Sequence, residues 1–147
     1  MKTQNGFTLI ELMVVITVVA ILAAIALPAY NDYVRRGQLT DGTTALADFR
    51  VRMEQFYQDN RTYAGNQCSG VCGASCSATQ YFTYSCQLNT TAPLGAGQSY
   101  TGTATGNKGR TPGFVYTINE QNTRATTSAT PWGASSTSTS TWVTRKQ

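Results

Sequence analysis

A run of twenty residues without a formal charge, residues 12–31, constrains the fold of this chain most. At about 1.5 Å per residue, a helix of that length reaches roughly 30 Å, which is the thickness of a bilayer core. A plain membrane anchor is the simplest interpretation. A secretory signal fits less well, because such signals place small residues after the apolar region, whereas Gly6 precedes it. Cleavage after Gly6 would leave the apolar helix on the mature chain.

Glu11 is a lone carboxylate at the start of this apolar run, between Phe7 and Leu12. An unpaired carboxylate is costly in lipid, so we expect Glu11 to have a partner or to be protonated. Cleavage after Gly6 would create an α-amine at Phe7, four residues earlier on the same helix face. The ion pair can form within one chain or between neighbouring subunits. The second arrangement would set the axial register of a polymer.

Residues 6–13, with the sequence GFTLIELM, resemble the prepilin signature of type IV pilins and their pseudopilin relatives. The resemblance continues to about residue 37 and includes Pro28. It implies that a prepilin peptidase cuts after Gly6 and methylates the new N-terminal residue, Phe7. It also implies that Glu11 acts in filament assembly, and that the stretch before Pro28 can unwind when the filament is under load. A plain bitopic membrane protein is the alternative.

The same resemblance implies that the subunit occupies two locations in turn. The subunit would wait in the inner membrane, where an assembly platform adds it to an extracellular filament made of other pilin subunits. The resemblance therefore divides the chain into a leader at residues 1–6, an anchor and filament core at residues 7–31, and an extracytoplasmic head at residues 32–147.

The apolar pattern of the head predicts an α+β fold. Apolar residues at helical spacing predict that one helix covers residues 7–59, with Pro28 kinking it; a break into two helices at Pro28 is the alternative. Period-two alternation then predicts an antiparallel sheet near residues 81–87, 98–105, 113–120 and 123–128, with a last short strand at 141–145. One sheet face should pack on an apolar helix stripe made of Leu39, Ala45, Leu46, Phe49, Met53, Phe56 and Tyr57.

Four cysteines lie close together in a loop-rich part of the head. An even number of cysteines in a small exported domain favours two disulfides. A zinc site is the weaker alternative, because the chain has no histidine and the spacing lacks the usual C-x2-C knuckle. Three pairings are open, of which Cys68–Cys72 with Cys76–Cys86 is the most local. Many pilins close a C-terminal loop with a disulfide, and this chain departs from that pattern because no cysteine follows Cys86.

The C-terminal region has little local structure signal. Residues 130–141 are almost entirely Pro, Trp, Gly, Ala, Ser and Thr, which is typical of a flexible surface loop. We expect the tail to be held by Trp132, Trp142 and sheet pairing, or otherwise to be mobile.

Net positive charge is concentrated in the distal part of a chain whose net charge is +4, because six basic residues follow residue 60 and Glu120 is the only acidic one there. A basic surface can bind phosphate or other anionic polymers, although scattered charges that only aid solubility are the simpler interpretation. If the surface binds DNA, Trp132 or Trp142 could stack on bases. The candidate DNA-binding residues are Arg61, Lys108, Arg110, Arg124, Arg145 and Lys146.

Several kinds of chemistry have no signal in this sequence. The chain lacks histidine, a P-loop and a dinucleotide-binding glycine motif, so we expect no catalysis, no cofactor and no metal. The sequence favours a structural subunit of a type IV pilus, within the minor pilins. Motility, adhesion and DNA uptake are the roles that the resemblance implies. The alternatives are a DNA-receptor minor pilin and a type II secretion pseudopilin. The four cysteines argue against the pseudopilin.

Overall fold

A computed structural model describes residues 7–64, 78–89, 97–133 and 137–146 of the chain. It contains one helix, α1 (Leu9–Asn60), and four strands, β1 (Phe82–Asn89), β2 (Ser99–Gly106), β3 (Phe114–Asn119) and β4 (Arg124–Ala129). A 3₁₀ turn at Thr130–Trp132 follows β4. The α+β class, the single long helix and the four-stranded antiparallel sheet that the sequence predicts are confirmed.

Helix α1 begins and ends with recognisable local bonds. The Glu11 amide donates to Thr8 Oγ1 at 3.3 Å, so Thr8 caps the first turn. The helix then continues through Pro28 without a break. It stops where Arg61 adopts a φ of 59°, with the Arg61 amide donating to the Tyr57 carbonyl at 2.7 Å. The chain divides into two compact units, Met1–Val34 and Arg35–Gln147, and α1 contributes to both.

Within the second unit, α1 packs on the sheet through a narrow seam. The buried helix residues are three or four positions apart, which places them on one face. Glycines at the seam allow close approach: a Cβ at Gly42 would lie 2.9 Å from the Phe82 ring, and one at Gly102 of β2 would lie 2.6 Å from the Phe49 ring. The seam consists of Leu39, Gly42, Leu46, Phe49 and Met53.

The sequence predicted most of this stripe correctly. Leu39, Leu46, Phe49 and Met53 are buried, whereas Ala45, Phe56 and Tyr57 are only partly buried. Gly42 has a packing role, because its missing side chain makes room for the aromatic ring of Phe82 in β1.

The strands form a meander in the order β1-β2-β3-β4, each antiparallel to its neighbour. Phe82 pairs with Gly106, and Gly102 pairs with Ile118, which sets the register of the first three strands. A shift between Val115 and Tyr116 interrupts the pairing of β3 with β4. Alternate residues of β3 are buried, as period-two alternation requires when one sheet face is covered.

Aromatic side chains fill most of the space between sheet and helix. Phe49 meets Tyr100 edge to face with ring centroids 5.4 Å apart, and Tyr63 meets Tyr100 at 4.9 Å. Such pairs contribute about 0.5–1.5 kcal/mol beyond their buried area. Burial raises the pKa of Tyr100 and of Tyr116 above that of a free tyrosine, because the phenolate would lose its hydration.

The last predicted strand, at residues 141–145, is wrong. The C-terminal segment instead makes a single antiparallel bridge, in which Thr126 of β4 exchanges two backbone hydrogen bonds with Ser138, at 2.7 and 3.1 Å. Beyond that bridge, the Thr126 hydroxyl accepts from the Val143 amide at 2.8 Å and donates to the Thr141 carbonyl at 3.2 Å. The Tyr116 hydroxyl donates to the Val143 carbonyl at 2.8 Å. Hydrogen bonds from side chains therefore replace the backbone strand pairing that period-two alternation had predicted for residues 141–145.

The two tryptophans both anchor this region, as the sequence suggested. Trp132 is buried and lies edge to face on Phe114, with ring centroids 4.8 Å apart. Trp142 is half-buried, and its Nε1 donates to the Thr117 carbonyl at 2.9 Å. The described tail, residues 137–146, is thus attached to the sheet by directional bonds.

Candidate functional site

The largest candidate surface is the apolar side of α1 in the first unit. Sixteen large hydrophobic side chains between Phe7 and Tyr33 are exposed, and Phe7 itself is 86% exposed. The most apolar window of α1 has a mean hydropathy of 2.8 and no buried residue. By length and composition this helix is long and apolar enough to cross a membrane. Contiguous exposed apolar surface of this size marks an interaction site.

Glu11 is the one acidic residue in the first turn of this helix. Its side chain is exposed, and no described residue makes a hydrogen bond or ion pair with its carboxylate. Thr8 and Glu11 have the spacing of a capping box, in which a threonine caps a helix and a glutamate follows three residues later. This signal is present in the sequence, because the two residues are three positions apart at the start of the apolar run. Gly6, the predicted cleavage residue, lies outside the described residues.

Pro28 lies inside α1, within the apolar surface. Proline has no amide hydrogen, so the carbonyl of Ala24 loses its usual helical partner at this point. The interruption is a weak point in the backbone hydrogen bonding of the helix. The unwinding that the resemblance implies for this stretch stays a prediction.

The candidate DNA-binding residues are all exposed but do not form one patch. Lys108 and Arg110 lie in the turn between β2 and β3, which is fixed to the helix by the Arg110 amide donating to Gln38 Oε1 at 2.8 Å. Arg124 begins β4, at the opposite end of β3. A six-residue strand spans about 20 Å, so the turn and Arg124 are well separated. Arg61 follows the end of the helix, and Arg145 and Lys146 follow the tail.

One of these basic residues lies in a groove. The Arg124 guanidinium carbon lies 4.9 Å from the centroid of the Trp142 ring, within the range of a cation–π contact. Arg124 Nε donates to Asn122 Oδ1 at 3.3 Å. The groove has a volume of about 470 Å³. Its lining is Thr43, Asn122, Arg124, Ser140, Thr141, Trp142 and Thr144.

The sequence pointed to Arg124 and Trp142 separately, and no local signal joined them. They are eighteen positions apart, and only the fold of the tail onto β3 and β4 brings them together. The hydroxyl residues of the groove had no signal, because Ser and Thr are common throughout this chain.

Cys86 lies in β1, opposite Gly102, and packs against the hydrophobic core while half-exposed. It is disulfide-bonded in the structure. A disulfide-bonded Cys86 does not fit the zinc alternative, which needs thiolate ligands. Cys68, Cys72 and Cys76 lie outside the described residues, so the pairing of the four cysteines stays as the sequence left it.

A small polar cluster attaches the start of β1 to the helix. Thr79 Oγ1 donates to Asp41 Oδ2 at 2.5 Å, and the Tyr84 hydroxyl donates to the Asp41 carbonyl at 3.4 Å. Burial, and the nearby Asp41 charge, raise the pKa of Tyr84 to about 12. The cluster fixes the register between the helix and the start of β1.

Solved structures contain the same fold. The crystal structure of the Neisseria meningitidis non-core minor pilin PilV superposes with a TM-score of 0.51, over 67% of this chain and 92% of PilV. The two sequences are 20% identical, so this likeness shows the fold alone.

Two curated relatives match with greater identity. Fimbrial protein EcpC of Eikenella corrodens is 34% identical over 120 residues, covering 81% of this chain and 78% of EcpC. The type IV major fimbrial protein FimA of Dichelobacter nodosus (strain VCS1703A) is 45% identical over 71 residues, covering 48% of this chain and 44% of FimA. The chain therefore spans less than half the length of FimA in that match.

Two family profiles also match. A profile described as the prokaryotic N-terminal methylation motif matches residues 1–27. A second profile, described as "Type IV minor pilin ComP, DNA uptake sequence receptor", matches residues 28–113, more than half of the 147-residue chain. The chain has a long apolar helix followed by an antiparallel sheet, it matches this profile over more than half of its length, and it is similar to EcpC. It therefore belongs to the family of the type IV minor pilin ComP.

Proposed function

We propose that this protein is a structural subunit of a type IV pilus, added to the filament through its apolar helix. The observation that carries the proposal is the exposed apolar surface of α1 between Phe7 and Tyr33. A surface of this kind has two stable environments, which are a lipid bilayer and the apolar helices of neighbouring subunits.

Burial of this surface would supply the energy of the polymer. Each large apolar side chain contributes about 1.5–3 kcal/mol when it moves from water into an apolar environment. Because a bilayer already removes the helix from water, transfer into a filament core is close to balanced in hydrophobic energy. Packing and polar pairing between helices then decide where the subunit resides.

Glu11 supplies that polar preference. In the bilayer the only α-amine in reach of its carboxylate is that of its own Phe7, whereas in a filament the methylated α-amine of Phe7 on a neighbouring subunit could neutralise it and set the axial register. The N-terminal methylation profile over residues 1–27 supports cleavage after Gly6 and modification of Phe7. The exposed position of Glu11, with no partner among the described residues, is consistent with a partner on another chain.

The proposed sequence of events has three stages. The chain inserts in the inner membrane, a prepilin peptidase removes residues 1–6, and the inner-membrane platform adds the subunit to an extracellular filament. Motility and adhesion are the proposed roles of that filament. We assign no catalysis to the chain, and the prediction that it is not an enzyme rests on its kinship with pilins.

Fractionation of surface fibres tests the filament role. In a strain that expresses the chain in place of the deleted gene, immunogold labelling should decorate sheared fibres, and Gly6→Leu should remove the label and leave the unprocessed mass in the membrane. Gly37→Leu is the matched control, because no atom lies within 4 Å of a side chain built at Gly37. Label on the membrane alone for the native chain would refute the proposal.

A second candidate function is DNA reception. It is favoured by the description of the matched family as a DNA uptake sequence receptor and by six exposed basic residues in the head. The separated basic positions suit a long duplex better than a small anion, since a duplex can contact phosphates about 20 Å apart. Binding should fall steeply as salt rises, because each phosphate contact releases counterions.

The DNA hypothesis has its own test. Binding of a fluorescent duplex to the processed chain in neutral detergent should weaken several-fold in Lys108→Gln/Arg110→Gln, which removes two charges from one turn. The matched control, Arg50→Gln/Arg52→Gln, removes two charges from the helix instead. Absence of duplex binding at low salt, or equal loss in both double variants, would refute a receptor site at this turn.

A further inference from the structure

We propose that the groove at Arg124 and Trp142 is a binding site for an acidic sugar, a pyranose that carries one carboxylate. This inference goes beyond the filament role and does not depend on it. Six of the seven lining residues follow residue 113, where the match to the ComP profile ends, so the site belongs to the C-terminal part of this chain.

The cation of the groove is held in place before any ligand arrives. Asn122 adopts a φ of 60° in the tight turn between β3 and β4, and the turn is closed by the Thr123 amide donating to Asn119 Oδ1 at 2.8 Å. From this turn, the Asn122 side chain accepts the hydrogen bond from Arg124 Nε. A side chain that is already ordered loses less entropy on binding.

The guanidinium retains its best anion-binding edge. Arginine has five N–H donors, of which the Nε donor of Arg124 is used by Asn122. The four donors on the terminal nitrogens have no hydrogen-bond partner among the described residues. Two of these donors are parallel and match the two oxygens of a carboxylate. None of the described residues that line the groove carries a carboxylate that would compete for this edge.

The aromatic wall is fixed as well. Trp142 is half-buried, its Nε1 donates to the Thr117 carbonyl at 2.9 Å, and Arg124 lies over its ring. The indole therefore needs no polar partner from a ligand, and its remaining exposed surface is apolar. A pyranose presents a face of C–H groups that can pack on such a surface while its hydroxyls point elsewhere.

The rest of the lining matches those hydroxyls. Of the lining hydroxyls, Thr43 Oγ1 already donates to the Thr40 carbonyl at 3.1 Å, and Thr141 Oγ1 is hydrogen-bonded to Ser138 Oγ at 3.0 Å. Ser140 and Thr144 each keep a hydroxyl that can donate and accept, as sugar hydroxyls can. A phosphodiester presents acceptors only and would use half of this capacity. The volume, about 470 Å³, lies within the range of small-ligand pockets. One cation, an aromatic wall and several hydroxyls together favour an acidic sugar over a nucleic acid backbone.

Titration calorimetry on the processed full-length chain, in a neutral detergent that contains no sugar, tests the site. The probes are trigalacturonate, monomeric galacturonate and uncharged maltotriose. Trigalacturonate should bind at least tenfold more tightly than maltotriose. Equal affinity for monomer and trimer would indicate that a free or terminal sugar acid is the ligand, whereas tighter trimer binding would indicate a polymer.

Variants assign the binding to the groove. Arg124→Gln should weaken trigalacturonate at least tenfold, and Arg124→Lys, which keeps the charge without the parallel donors, at least threefold. Thr144→Val removes a lining hydroxyl and leaves the Arg124 charge intact, and it should weaken trigalacturonate binding several-fold. Arg52→Gln is the matched charge control, because Arg52 is exposed on α1 and does not line the groove, and it should change affinity less than twofold.

Three outcomes would overturn the proposal. The first is failure of trigalacturonate to bind at millimolar concentration. The second is an equal loss in Arg52→Gln and Arg124→Gln, which would show a diffuse charge effect. The third is binding of a DNA duplex that depends on Arg124 while trigalacturonate does not bind, which would make the groove a phosphodiester site.

Discussion

The two parts of α1 use apolar residues in opposite ways. In residues 9–34, large apolar side chains occur around the whole helix and are exposed. In residues 35–60, five buried positions form one seam against the sheet, and charged residues occupy much of the remainder. The second part therefore finds its partner within the chain, whereas the first part needs one outside it. A single continuous helix thus joins a folding surface to an assembly surface.

The comparison also shows what decides burial. Hydrophobicity is higher in the part that stays exposed, so it does not select the residues that pack on the sheet. The seam is selected by its regular spacing and by glycines at Gly42 and Gly102, which let rings of Phe82 and Phe49 approach the facing backbone. The following substitutions test whether the two parts of α1 have these separate roles.

Glu11→Val should have the largest effect, and only on assembly. If Glu11 pairs with the Phe7 amine of a neighbour, removing one partner leaves a buried charge, at a cost of about 3–5 kcal/mol, which is more than a hundredfold in an equilibrium constant. Membrane insertion should be unchanged. Quantitative blotting of sheared fibres against membrane fractions measures both. Asp48→Val, an acid-to-valine change at an exposed site on the other part of the helix, should assemble normally.

Incorporation of Glu11→Val at the native level would contradict the charge-pairing hypothesis. It would leave the apolar surface as the sole source of assembly energy.

Leu46→Ala should destabilise the second unit by about 2–5 kcal/mol, because Leu46 is 1% exposed and its removal leaves a cavity in the seam. Leu22→Ala, the same change at a residue that is 62% exposed, should leave the unfolding midpoint unchanged. Denaturant unfolding of the full chain in neutral detergent, followed by tryptophan fluorescence, makes the measurement. Equal effects of the two changes would mean that the apolar part also supports the fold.

Thr126→Val should lower the free energy of unfolding by about 1–3 kcal/mol. The Thr126 hydroxyl bonds to both the Val143 amide and the Thr141 carbonyl, and valine would leave both groups without this partner. We expect limited proteolysis to cut the tail first in this variant. Thr127→Val is the control: it is exposed, and its hydroxyl makes one bond, to the Val115 carbonyl at 3.3 Å. If the tail is equally protected in both variants, the hydroxyl of Thr126 does not hold it.

Alkaline pH should have the smallest effect, and on the second unit alone. Burial raises the pKa of Tyr84 to about 12, so in the folded state this phenol stays protonated where an unfolded one, with its ordinary pKa near 10, is ionised. The unfolded state then binds fewer protons, and stability falls as pH rises from about 10 towards 12. Unfolding midpoints between pH 8 and 11 should decline, and Tyr84→Phe should reduce the slope. A flat profile would contradict the burial of these tyrosines.

Local patterns were sufficient for the backbone of this fold. The spacing of Leu39, Leu46, Phe49 and Met53 predicted the packed face of the helix, and alternation at Phe114, Tyr116 and Ile118 predicted β3. The predicted and observed ends of the helix agree within two residues. Thr8 caps the start of the helix, and the positive φ of Arg61 ends it.

The sequence failed where a residue's partner is distant. Residues 141–145 alternate like a strand, but β4 is already bridged at Ser138, and the tail satisfies its bonds through side chains of Thr126, Tyr116 and Trp142. The groove could not be predicted for the same reason, since it requires the turn at Asn122 and the tail to meet. The sequence also left open whether the basic residues form one surface or are scattered, and β3 separates Lys108 and Arg110 from Arg124 by the length of a strand.

The attachment of the tail has a mechanical consequence. Among the described residues, the contacts that hold residues 137–146 are hydrogen bonds and ring packing, which break one after another and form again within microseconds to milliseconds. Under a pulling force the tail would peel from β4 before the sheet itself gave way. It would dock again once the force fell, without an enzyme or an oxidant, and with the same strength in reducing as in oxidising surroundings.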